Sequence, residues 1–296
     1  MNGNWINQST SLSTVARVLR QNYDLWNYRE ILLPAIEEFE DELDKGTKFT
    51  DGMEFYVIKP DITSQILARL TDEKRRKLFY ISEVLDGDTS GNWQFGAEYI
   101  GGDDLWMVLE IISSIITGLE SLGIKDFFVD VGSKQVWESA ISDIPDLREE
   151  VFSALYHRSF DLIDDLDITE EKKDQIWQLF NYRDKRCSYD RLNKILKNLD
   201  DERVFADFGT VRGMPYYEDL TFEIYSPGTG SPLGYGGEYT FFDSDACGFA
   251  FNLESVLEVF TGLERMERKK IGGPTKEKLT EAKNRIESGV PVEVES

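Results

Sequence analysis

The sequence predicts an α+β domain: an antiparallel sheet with helices packed on one side. Three observations carry this. The periodic segments run helix, strand, strand pair, helix, then an insertion, then a series of strands closed by a helix. One helix, residues 103–122, puts Leu105, Val108, Leu109, Ile112, Ile115, Ile116 and Leu119 on a single apolar stripe that has to be covered. The glycine-rich run 228–237, GTGSPLGYGG, lies between strands and precedes no helix, so it is not a nucleotide-binding turn of the βαβ kind.

Taken in order, residues 10–23 read as a helix with Leu12, Val15, Val18 and Leu19 on one face and capping serines and threonines at its start. Residues 28–36 (YREILLPAI) read as a strand closing at Pro34, and the acidic run 37–43 as a helix. A strand is expected over 54–58, then a helix over 60–70 (PDITSQILARL), with Asp61 or Thr63 near its N-terminus. Residues 77–85 and 94–100 form a hairpin-like pair across the acidic turn DGDTSG. The long helix 103–122 is capped by aspartates and stops at Gly123, and a short apolar strand follows over 126–131.

Residues 133–201 change texture: highly charged, helical in period and almost without glycine. They predict an inserted helical subdomain of three or four short helices. Residues 203–210 return to strand. The segments 211–225 (VRGMPYYEDLTFEIY) and 234–242 (GYGGEYTFF) then read as two strands joined by a Gly-, Pro- and Ser-rich loop, with Gly236 and Gly237 free to turn tightly or to approach a ligand. An arginine and two tyrosines beside a glycine can hold a small polar ligand: the guanidinium takes a carboxylate in two-pronged fashion, and the phenols supply flat walls ending in a hydroxyl. The same residues also suit a Tyr-rich strand pair with a structural arginine. A strand over 248–253 runs into a helix over 254–263. The stretch 264–296, dominated by Lys and Glu, reads as a helix at most or a disordered tail, which leaves one body over 1–263.

The chain carries 33 basic and 56 acidic residues, a net charge of −23. It has no global field that would draw in a phosphate backbone, which argues against nucleic acid and anionic membrane as partners. The one compact basic run, KRRK at 74–77, reads as a solvated helix end. Two cysteines, Cys187 and Cys247, supply neither a disulfide framework nor a metal-ligand spacing and fit a reduced, cytoplasmic setting. With His157 as the only histidine, a multi-histidine metal site is excluded. No apolar run is long enough to span a bilayer, and the N-terminus does not read as a signal peptide.

Six segments in sequence, KPDITSQILARL, KLFYISEVL, QFGAEYIGG, VRGMPYYEDLTFEIY, GGEYT and GFAFNLESVL, resemble the catalytic core of histidyl-tRNA synthetase and its non-synthetase relatives over roughly residues 12–260. The resemblance implies a class II aminoacyl-tRNA synthetase-like fold, a six-stranded antiparallel sheet with flanking helices, dimeric through its N-terminal part. It also implies a histidine pocket made by Asp61 and Thr63, by Gln94 and Glu98, by Arg212 and Tyr217, and by Tyr239. The ligand's ammonium would meet Asp61 and Glu98, its carboxylate Arg212, and its imidazole a tyrosine hydroxyl and an acid. Asp86 stands where catalytic members carry the arginine that grips the ATP α-phosphate. Ser255 stands where they carry the one that holds the γ-phosphate. Exchanging such a cation for an anion turns attraction into repulsion. Glu238 likewise replaces an arginine, and Pro215 an aspartate.

This pattern is similar to the regulatory subunits of short-form ATP phosphoribosyltransferase. That similarity implies a non-catalytic protein without cofactor or metal, which binds L-histidine and passes feedback control of the first step of histidine biosynthesis to a separate catalytic subunit in a hetero-octamer. Two alternatives stand beside it: a truncated synthetase-like enzyme that still forms an aminoacyl-adenylate, with Lys59 as a nearby cation, and a synthetase-like paralogue that binds another small molecule or a protein.

Overall fold

Helix α1 (Trp5–Leu25) outruns the expected 10–23 at both ends, and its apolar face carries Val15, Val18, Leu19 and Tyr23 into the core. The structure, a computed structural model, describes residues 5–39, 47–58, 61–72, 74–85, 91–211, 217–263 and 268–294. The strand expected over 28–36 is two separate pieces, β1 (Arg29–Glu30) and β2 (Ile36–Glu38), which belong to different sheets. Pro34, lying between them, has no N–H to give a ladder. Glu37 and Glu38, expected in a helix, are in β2, and residues 40–43 of that expectation lie outside the described residues. Strand β2 pairs with β4 (Phe55–Ile58), which also pairs with β3 (Thr47–Thr50), in a small three-stranded sheet.

Helix α2 (Ile62–Arg69) starts at an Asp61 cap and packs Ile62 and Ile66 inward. The expected hairpin is present as β5 (Arg76–Leu85) and β6 (Gly91–Ile100), antiparallel over their whole length. Helix α3 (Asp104–Ser121) follows behind an Asp103 cap whose carboxylate accepts the Trp106 N–H at 3.0 Å. Strand β7 (Phe128–Ser133) leads into the insertion.

The insertion holds more helices than the expected three or four. They are α4 (Lys134–Ala140), α5 (Arg148–His157), α6 (Asp161–Asp164), α7 (Glu170–Phe180) and α8 (Asp190–Leu199), with a 3₁₀ turn at Pro145–Leu147 and a short strand β8 (Arg183–Asp184). Nor is it a separate subdomain. Trp137, Val151, Phe152, Ile176, Leu192 and Ile195 are buried in the same apolar core as α1, α3 and the sheet. The Trp137 indole N–H donates to the Phe208 carbonyl at 2.8 Å, which ties α4 to the chain just after β9 (Val204–Asp207).

Three long strands complete the sheet: β10 (Tyr217–Tyr225), β11 (Gly234–Phe241) and β12 (Ser244–Asn252), before helix α9 (Leu253–Val259). The nine-stranded order is β1-β5-β6-β12-β11-β10-β7-β9-β8. Every pairing from β5 through β7 is antiparallel, which gives the six-stranded centre; β1 and β9 add to its flanks in parallel. Leu220, Phe222 and Ile224 of β10 face the helices, whereas Tyr217 and Thr221 lie on the other face. Gly236 and Gly237 make no turn. Both lie inside β11, and a Cβ on Gly236 would stand 2.3 Å from the Gly248 carbonyl and 2.5 Å from the Phe222 ring.

The chain divides into two units, Met1–Thr261 and Gly262–Ser296. The second is not a bare helix or tail. Strands β13 (Lys269–Ile271) and β14 (Val292–Val294) pair in parallel, joined by α10 (Thr275–Glu287), with Ile271 and Ala282 buried.

Because the inserted helices share the main core, Trp137→Ala should lower stability by roughly 3–5 kcal/mol. It should also shift one cooperative urea transition as a whole. Separate melting of the inserted helices ahead of the sheet would show that they form a core of their own.

Candidate functional site

On the face of the sheet turned away from α1 and α3, a cavity of about 50 Å³ collects Asp61 and Thr63 from the start of α2, Gln94 and Glu98 from β6, Tyr217 from β10 and Tyr239 from β11. Six of the seven residues singled out from the sequence therefore line one space. The seventh, Arg212, lies outside the described residues.

At the centre is Glu98, 1% exposed. The Thr63 hydroxyl donates to its Oε1 at 2.7 Å, and the Tyr239 hydroxyl to its Oε2 at 2.8 Å. Asp61 sets Thr63 in place: its carboxylate caps α2, accepting the Thr63 N–H at 3.1 Å and the Ser64 hydroxyl at 2.6 Å. Burial pushes the Glu98 acid up to about 7 even though both hydroxyls favour the charged form, and the charge on Asp61 adds to the rise. Gly248, opposite Glu98 in the register, makes the placement possible: a Cβ there would stand 1.7 Å from Glu98 Oε2.

Sequence reasoning missed two tyrosines and this glycine. Tyr80 of β5 lies opposite Gly96 of β6, where a Cβ would stand 2.4 Å from its ring and hydroxyl, so the ring lies across the glycine. Tyr235 of β11 closes another side. The alternation of KLFYISEVL against QFGAE carries the signal for Tyr80; only the pairing of β5 with β6 says which residue it covers. The described lining thus holds two carboxylates, four tyrosines and no cationic side chain. It suits a ligand with an ammonium or imidazolium group and a flat ring. About 50 Å³ is room for a few waters, less than an amino acid fills.

A second space of about 260 Å³ shares Tyr239 with the first. Here Arg191 of α8 grips Glu238 through both carboxylate oxygens, reaches Asp104 at 3.2 Å and stands 3.5 Å from Asp219. Burial raises the Glu238 acid by more than Arg191 lowers it, so the pair is held at a desolvation cost. The Tyr189 hydroxyl donates to Asp219 at 2.8 Å, as does the Ser133 hydroxyl at 2.6 Å. The inserted helices are thus bonded to the ends of β7, β10 and β11.

Of the two positions where the resemblance implied lost phosphate-gripping arginines, Asp86 lies outside the described residues. Ser255 is buried in the first turn of α9, where its N–H donates to the Asn252 cap at 3.1 Å.

The sheet and its flanking helices define a class II synthetase-like fold. The family model described as histidyl-tRNA synthetase matches residues 6–187 and 167–256, and the chain belongs to that family. Among curated proteins it is 24% identical, over 92% of this chain and 84% of that protein, to the ATP phosphoribosyltransferase regulatory subunit of Desulfitobacterium hafniense (strain Y51). It is 26% identical, over 82% of this chain and 70% of that protein, to the histidine–tRNA ligase of Methanocaldococcus jannaschii. Among solved structures it resembles an ATP phosphoribosyltransferase regulatory subunit/histidyl-tRNA synthetase from Bacillus halodurans, with TM-score 0.78, 19% identity, and 97% and 89% of the two chains covered. It also resembles a chain of the ATP phosphoribosyl transferase (HisG:HisZ) complex from Thermotoga maritima, with TM-score 0.68, 21% identity, and 81% and 96% covered.

The pH response of Glu98 follows from its burial. Its acid stands at about 7 in the fold against an ordinary 4.5, so its contribution to stability is fully present below 4.5 and is lost as pH rises through 7. Between about pH 4 and about pH 8, the stability difference should therefore move in favour of Glu98→Gln by about 3 kcal/mol. Urea midpoints across that range check it; parallel profiles for the two proteins would contradict it. Separately, Gly248→Ala should cost about 2–4 kcal/mol by displacing the carboxylate, as thermal unfolding would report.

Proposed function

We propose that this chain is the non-catalytic regulatory subunit of an ATP phosphoribosyltransferase, and that its cavity binds L-histidine to transmit feedback control of the first step of histidine biosynthesis. The observation that carries this is the buried Glu98 carboxylate, held by Thr63 and Tyr239 in a described lining without a cation. In this reading the ligand's ammonium meets Glu98 and Asp61, its imidazole packs among Tyr80, Tyr217 and Tyr239, and Arg212 takes its carboxylate. A cation binding against Glu98 favours its ionised form, so binding near pH 6 releases a proton.

The relatives named as regulatory subunits support the same role. The loss of ATP chemistry rests on Asp86 and Ser255: a neutral serine on α9 offers no charge to a phosphate. The partner is a short-form catalytic subunit in a hetero-octamer, and the chain pairs with itself through its N-terminal part. The setting is cytoplasmic, and no described helix is long and apolar enough to cross a membrane. A second reading, a synthetase-like enzyme that activates histidine, is favoured by the ligase relative from Methanocaldococcus jannaschii.

Isothermal titration separates the two. L-Histidine should bind, Glu98→Gln and Tyr239→Phe should each weaken it roughly tenfold or more, and ATP with magnesium should give no heat. Histidine-dependent release of pyrophosphate from ATP would establish the enzyme reading instead.

A further inference from the structure

A further cavity belongs to neither of these spaces. It encloses about 460 Å³ where the inserted helices meet the sheet, and shares no lining residue with the Glu98 cavity. Asp130 of β7, Asp207 of β9 and Glu223 of β10 come from the sheet; Arg158, Phe180 and Arg183 come from the insertion.

Its charges do not balance. The Arg183 Nε donates to both oxygens of Asp130, at 3.0 and 3.1 Å, and the guanidinium lies 3.8 Å from the Phe205 ring centroid. The same guanidinium stands 3.7 Å from Asp207 Oδ2, beyond hydrogen-bond reach. Across the cavity Arg158 pairs with Glu223 at 3.1 Å. One guanidinium thus serves two carboxylates, Asp130 and Asp207, which are 5% and 18% exposed. Lys185, close by, gives its ammonium to the carbonyls of Asp201, Glu202 and Val204.

Hydrogen-bonding capacity leans the same way. The loop hydroxyls of Ser226 and Thr229 are already donated to backbone carbonyls. The cavity therefore offers acceptors and a net negative charge, with Phe180 and Tyr225 as aromatic surface. Phosphate and carboxylate ligands are disfavoured. A metal ion does not fit either, since no three acidic, histidine or cysteine side chains converge on one point among the described residues. A planar guanidinium or an ammonium does fit, because its donors match the carboxylates and its charge completes the balance. The space lies within the size range of small-molecule sites.

We propose that this cavity is a second ligand site, taking a small organic cation that bears a guanidinium or primary ammonium group. Burial and the neighbouring Asp130 raise the Asp207 acid to about 6, with Arg183 opposing. Tyr225 faces the same carboxylates from β10. A cation that needs both carboxylates ionised therefore binds less well in acid.

The test is calorimetric titration of the whole chain with agmatine, in excess L-histidine. Agmatine is expected to bind with Kd at or below about 1 mM near pH 7.5, and about tenfold more weakly near pH 5. Asp207→Asn should weaken it at least about tenfold, while Glu98→Gln should leave it unchanged. Gly230→Trp is the second variant, since open space surrounds the position of its Cβ on the lining, and the indole should block the cavity without disturbing the fold. No heat up to about 10 mM agmatine would overturn the proposal, as would binding indifferent to Asp207→Asn and Gly230→Trp in folded protein, or binding lost with Glu98→Gln.

Discussion

A carboxylate taken out of water has to be held on both oxygens, and Glu98 shows what that requires of the surrounding fold. Its two hydroxyl partners come from different elements, Thr63 at the head of α2 and Tyr239 on β11, each far from Glu98 in sequence. Three chain segments must be in register before the charge is satisfied. The glycine at 248 lets the carboxylate cross its neighbouring strand. The Asp61 cap of α2 is also the brace that aims Thr63, so helix capping and site geometry are one arrangement. Even so, burial keeps the acid near 7, poised to ionise when a positive group arrives.

The other face of the sheet explains why the inserted helices do not drift. Helix α3 is buried along its stripe from Met107 to Leu119, against α1 on one side and α8 on another. Ser114 fastens α1 to it: its carbonyl accepts from Asn22 at 3.1 Å, and its hydroxyl meets that of Tyr23 at 2.9 Å. Arg191 then joins α8 to Glu238, the residue beside Tyr239. A site residue and a surface helix are therefore one residue apart along a strand. The same insertion supplies one wall of the large cavity, so both ligand-sized spaces outside the Glu98 cavity depend on helices that looked peripheral.

The residues of the candidate site were legible through the resemblance of six short segments to the histidyl-tRNA synthetase core. The sequence PDIT spells a helix start and QFGAE a strand with Gln94, Gly96 and Glu98 on one face; the antiparallel sheet brings Tyr239 of β11 to them. Tyr80 and Tyr235 were not legible, since an aromatic in an alternating strand reads equally as core. Glycines 236 and 237 read as a turn, whereas neighbouring strands and the Phe222 ring require them. The acidic run at 37–43 looked helical by composition, but Glu37 and Glu38 pair across to β4, because a ladder partner outweighs weak local propensity.

The sequence by itself determined the α+β class, the long α3 stripe and the β5–β6 hairpin, while the resemblance of its segments to a known core named six of the residues around the Glu98 cavity. The stripe and the hairpin depend on periodicity or capping within a dozen or so neighbours. The tertiary structure alone decided that the insertion belongs to the main core and that the C-terminal stretch builds a βαβ unit. It also decided that Arg191 neutralises Glu238 and that Asp130 and Asp207 share one guanidinium. Those outcomes depend on which distant charges and faces meet, and on how much water is excluded when they do, quantities that no local pattern encodes.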